Sequence, residues 1–129
     1  MTSLEQLFAI GFVNETVDIL GVQFNLTVLD TRRLTDALNS AVDSDTSAQN
    51  LNYKCEILAR AITSINGKSN FADNENPSKD EISKVLNGVI AKLHYTIVNA
   101  LYEAYEKLDK SVGKQVEDDV KKSMSNLGV

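Results

Sequence analysis

The sequence predicts an α+β, helix-rich fold, with an N-terminal β-hairpin packed on a bundle of about four helices. Val17 and Ile19, and after Gly21 the residues Val22, Phe24, Leu26 and Val28, recur at every second position, whereas from Leu34 onward the apolar residues recur at steps of three and four. A period of two places alternate side chains on opposite faces of a strand, and steps of three and four build one face of a helix. Asp30 and Thr31, good helix-capping residues, stand where one pattern gives way to the other.

In order along the chain, Ser3 and Gln6 have capping-box spacing, and Leu4, Leu7 and Phe8 form the face of a short helix ending near Gly11. A helix this short depends on tertiary contacts, so residues 1–11 read as a mobile or partner-docking arm. In "TVDILGVQFNLTVL", Val17 and Ile19, then Val22, Phe24, Leu26 and Val28, alternate with polar residues, and Gly21 supplies the tight link of a hairpin. A hairpin alone is marginal in water, so its apolar face must be covered. Leu34, Ala37, Leu38, Ala41 and Val42 then mark an amphipathic helix.

After the polar break "DSDTSAQN", a longer helix capped near Ser44 or Asp45 is expected. Its stripe runs through Ala48, Leu51, Cys55, Leu58, Ile62 and Ile65. On that pattern Asn66-Gly67 closes the helix in the left-handed conformation. A hairpin at Asn66-Gly67 is disfavoured, because Lys68 to Pro77 is polar and irregular. A phosphate-binding loop is excluded as well, because its first glycine falls on Ile62. Phe71 pins the following loop, and Ser78 with Glu81 opens a helix carrying Ile82, Val85, Leu86, Val89, Ile90 and Leu93. A helix over 95–111 follows, with His94-Tyr95-Thr96 either a corner or part of a continuous helix. Last, Val112, Val116, Val120 and Met124 make a thin stripe on a C-terminal docking helix over 112–129.

Chemistry is sparse. Asp43, Asp45 and Ser47 begin like a calcium loop, but Ala48 and Lys54 occupy the positions that need Gly and Glu; the run from Asp73 and Glu75 fails at Lys84. One His and one Cys are too few for a zinc site, and Cys55 reads as a small buried hydrophobe. His94 reads as a helix-terminal or interface histidine. No catalytic, cofactor-binding or metal-binding residues are assigned, and no cofactor is expected. Tyr102 and Tyr105 share a helix face and suit either the core or a protein interface. The net charge of -5 disfavours nucleic-acid binding, and no apolar run reaches the length of a membrane span. The first residues lack a positively charged region and carry Glu5, so a reducing cytosol is the expected compartment.

The stretches "VDILGVQFNLTVLDTRR", "YKCEILARAITSINGKS" and "IVNALYEAYEKLDKSV" resemble, in this order, small tail-assembly and baseplate-hub assembly proteins of tailed bacteriophages, including tail assembly chaperones. The resemblance covers about residues 12 to 112 and neither terminus. It implies a non-enzymatic role in the host cytoplasm or in the virion tail. Its partners would be phage tail proteins (tape-measure, hub or baseplate) or further copies of the chain. The expected contact residues are Tyr102, Tyr105, Val112, Val116, Val120 and Met124. An inhibitor of a host enzyme and a small hydrolase using His94 are the rival classes.

Overall fold

The computed structural model describes residues 4–41 and 46–126, with side chains from residue 50 in the second stretch. Helix α1 (Leu4–Ile10) leads into a hairpin of β1 (Asn14–Ile19) and β2 (Val22–Thr27). Helices α2 (Thr31–Ala41) and α3 (Thr46–Ala61) follow, then β3 (Ile62–Ile65) and β4 (Lys68–Ser69). Helix α4 (Lys79–Gly88), a 3₁₀ turn over Ile90–Lys92 and helix α5 (Tyr95–Asn126) complete the chain. The strands form one antiparallel sheet in the order β1-β2-β3-β4. The chain is therefore α+β and helix-rich as expected, but the N-terminal hairpin is half of a larger sheet. The caps assigned to Ser3, Ser44 and Asp45 lie outside the described residues.

The first hairpin forms where the alternation predicts it. Val17, Ile19 and Val22 pack against the core beside buried Phe24 and Leu26, while Thr16, Asp18 and Gln23 are exposed. Leu20 and Gly21 both have positive φ, 54° and 89°, the requirement of a type I′ turn. Asp18 Oδ1 accepts a hydrogen bond from the Gly21 N–H at 2.9 Å.

The expected helix end at Asn66-Gly67 is corrected. Helix α3 stops at Ala61, and Asn66 (φ 50°) and Gly67 (φ 80°) turn a second hairpin between β3 and β4. The reason is a tertiary partner: β2 offers a free edge to which β3 pairs. Phe24 lies opposite Ile65, Asn25 opposite Ser64 and Leu26 opposite Ile62, with a bulge between the last two pairs. The bulge leaves Thr63 as the extra residue. Ile62 and Ile65, three apart, thereby line up with Phe24 and Leu26, two apart. A helical spacing is thus accommodated on one face of a sheet. Thr63 Oγ1 donates to Asn25 Oδ1 at 2.7 Å. Asn66 extends the ladder, its N–H donating to Gln23 O at 2.7 Å and its Oδ1 accepting from the Gln23 N–H at 2.9 Å.

The core lies between the inner sheet face and the helices. Leu26, Ile57, Leu58, Ile62, Ile90 and Leu101 are its largest fully buried side chains, joined by Phe71 from the loop, as expected. Ser78 and Glu81 form the expected capping box of α4, and Glu81 also accepts from the Ala72 N–H at 2.8 Å. These backbone bonds to Ser78 and Ala72 hold the Glu81 carboxyl below the usual carboxylate range. A corner at Leu93-His94 precedes α5: the His94 carbonyl accepts from the Ile97 and Val98 N–H groups, and its Nδ1 from the Thr96 N–H at 3.1 Å.

The C-terminal segment is corrected too. It continues the helix that starts at Tyr95, passing through Gly113 without a break to Asn126. At a rise of about 1.5 Å per residue, α5 is about 48 Å long. Only its first half carries buried residues, Val98, Leu101 and Tyr105.

Candidate interaction surface

The residues assigned to an interface divide along α5. Tyr105 is 4% exposed and belongs to the core, so its ring is not offered to a partner in this fold. Tyr102 is half-buried, with its ring centroid 6.0 Å from that of Tyr105 and 6.1 Å from that of Tyr53, edge-on in the latter case. Burial, then bonding to Tyr53, raises the Tyr102 hydroxyl pKa; burial, then the Asp109 carboxylate, raises that of Tyr105. Lys54 of α3 sets its ammonium 5.5 Å from the Tyr102 ring centre and donates to Asn99 Oδ1 at 3.0 Å. The neighbourhood of Tyr53 and Lys54 comes from a separate helix, so spacing within α5 gave no sign of it.

From Ser111 to Asn126 no residue is buried. Val112 and Val116 are half-buried, whereas Val120 is 53% and Met124 45% exposed. The fold brings Val116 to α1, which the sequence left as a separate arm. Leu7, Phe8, Phe12, Leu29 and Val116 line one groove of about 780 Å³, with Glu5, Asp30, Arg32 and Glu75 among its polar residues. Leu4, Leu7 and Phe8 are all more than half exposed. One residue of the distal half of α5, Val116, therefore lines the same groove as Leu7 and Phe8 of α1.

Arg33 holds the floor of this groove in place. Its guanidinium stands 4.1 Å over the Phe12 ring. Nη2 donates to Gly11 O and Val28 O at 2.6 and 3.4 Å, and Nε to Asp30 Oδ1 at 3.2 Å. Gly11 belongs to the same joint, because a Cβ there would stand 3.1 Å from the Asp30 Cβ. Arg33 Nη1 is buried with no partner among the described residues. The sequence shows Arg33 only as a charge at a helix start, and nothing local announces its burial.

A second exposed apolar feature is Leu20, 90% exposed at the tip of the first hairpin. A leucine in left-handed backbone is costly, and such conformations concentrate where a contact or a switch maintains them. Sequence reading placed Gly21 in the turn but overlooked Leu20 beside it.

His94 is exposed, capping α5 and stacking on Tyr95 with ring centres 4.4 Å apart. Cys55 is half-buried, and burial, then Glu56, pushes its thiol pKa up, away from nucleophilic use. Among the described residues no group of His, Cys, Asp and Glu could hold a metal ion, while Asp43 and Asp45 lie outside them. No helix of the described chain is long and apolar enough to cross a membrane. Comparison with known protein families, curated proteins and solved structures returns no match.

Proposed function

We propose that this protein works by protein–protein contact, as an assembly chaperone or structural subunit of a bacteriophage tail or baseplate. The observation that carries the contact role is the set of exposed large apolar residues on α1 and on the distal half of α5, with Val116 of α5 lining a groove beside α1. Leu4, Leu7 and Phe8 on one helix, and Val120 and Met124 on the other, are large apolar residues turned to water. Isolated helices are marginal in water, so the distal half of α5 gains most from a partner that covers its stripe. The phage assignment rests on the resemblance of "VDILGVQFNLTVLDTRR", "YKCEILARAITSINGKS" and "IVNALYEAYEKLDKSV" to tail and baseplate-hub assembly proteins. Tape-measure, hub or baseplate proteins are the partners that follow from it.

The test replaces both Val116 and Val120 with Asp. The variant should keep its helical circular dichroism and lose association with phage tail proteins, measured by light scattering of co-expressed complexes. Unchanged association would refute the assignment of this surface. Mass spectrometry of purified particles separates a virion subunit from a transient chaperone. Specific capture of a host enzyme instead of tail proteins would favour an inhibitor.

A further inference from the structure

A neighbouring cleft, of about 690 Å³, opens between α2, α3 and α4; it shares Arg32 and Asn76 with the groove at α1 but carries more charged residues. Arg60 of α3 lines it with a side chain only 8% exposed. Nη1 donates to the Glu56 carbonyl at 2.9 Å and to Glu56 Oε1 at 3.0 Å, and Nη2 to Ser40 Oγ at 3.3 Å. A guanidinium has five N–H donors. Three are used here, so the Nε–H and one Nη2 hydrogen have no acceptor among the described residues.

The cations in the cleft outnumber its carboxylates. Arg32, Arg33, Arg60 and Lys79 line it against Asp36 and Glu56. Arg33 pairs with Asp30 and Arg60 with Glu56, which leaves Arg32 and Lys79 facing a single carboxylate, Asp36. Arg32 uses one donor, Nη2, on the Glu75 carbonyl at 2.8 Å, and so ties the loop before α4 to α2 along the cleft wall. This positive excess stands on a chain of net charge -5. A concave site concentrates such a field, and guanidinium groups match the geometry of oxyanions.

We propose that this cleft binds a compact oxyanion, a phosphate or carboxylate group, held by the Arg60 guanidinium together with Arg32 and Lys79. The volume suits a small ligand rather than a folded surface. Arg32 stands on the boundary with the apolar groove, whereas Arg60, Asp36 and Lys79 line this cleft alone, so Lys79→Met and Asp36→Asn test it with the contact surface intact.

The experiment follows backbone amide shifts of the full chain in low-chloride buffer, titrated with inorganic phosphate and, separately, with citrate. Saturable shifts are expected in residues 32–40, 56–60 and 76–83. Tighter binding of phosphate identifies a phosphate-bearing ligand, and tighter binding of citrate a carboxylate-bearing one. Arg32, Asp36 and Lys79 are exposed, so their variants keep the fold. Arg32→Gln and Lys79→Met should each weaken binding about fivefold, and Asp36→Asn should tighten it about threefold, from the loss of one nearby charge. Absence of saturation, saturation elsewhere in the chain, or affinities unchanged in all three variants would overturn the proposal.

Discussion

Replacing Leu20 with Asn should stabilise the isolated protein. Leu20 sits at φ 54° and is 90% exposed, so the native chain bears the cost of a left-handed leucine without gaining burial in return. That conformation costs a residue with a branched side chain about 1–2 kcal/mol, and Asn carries less of the cost because its short side chain bonds locally. The expected gain is about 1 kcal/mol. With an unfolding entropy of about 2.1 cal/mol/K per residue, a chain of 129 residues unfolds with about 0.27 kcal/mol/K. The gain then corresponds to a rise in Tm of about 4 °C, read by far-ultraviolet circular dichroism. Leu20→Gly is the control, because it relieves the same strain but adds freedom to the unfolded chain, so its gain should be smaller. A Tm for Leu20→Asn equal to or below that of the native chain would refute the reasoning. Partner capture by this variant should weaken if the hairpin tip is a contact, a trade of function for stability.

The second turn gives the opposite outcome. Asn66→Ala forces an alanine to φ 50° and removes the acceptor for the Gln23 N–H, so a loss of about 1–2 kcal/mol in urea unfolding is expected. Glu81 gives a pH signature. Its carboxyl titrates below the ordinary value of 4.5 in the folded chain, so its contribution is present above that value and is lost as pH falls through the folded one. Urea midpoints measured from pH 7 to pH 3 should therefore fall further for the native protein than for Glu81→Gln, and equal declines would count against the capping role.

Local signals sufficed for much of the fold. Alternation of Val17 with Ile19, and of Val22, Phe24, Leu26 and Val28 beyond Gly21, fixed the first hairpin, because a one-residue slip would turn its apolar set to water. Ser78 and Glu81 marked the start of α4 because a capping box is complete within four residues. The candidate surface was half legible: the stripe from Val112 to Met124 and the apolar face of α1 are visible as patterns, but their meeting at Val116 is not. Tyr105 carried no local mark distinguishing a core ring from a contact ring.

By itself, the sequence determined an acidic, α+β chain with an N-terminal hairpin and apolar helical faces, because periodicity and capping act through neighbours along the backbone. Tertiary structure decided whether Ile62 to Ile65 would be helix or strand. The spacing of these isoleucines suits a helix, and only the open edge of β2, together with a bulge at Thr63, made a strand the better way to satisfy their backbone groups. The burial of Arg33 and Arg60, the groove at Val116 and the polar cleft likewise arise from residues distant in sequence, whose contacts exist only once the chain has folded.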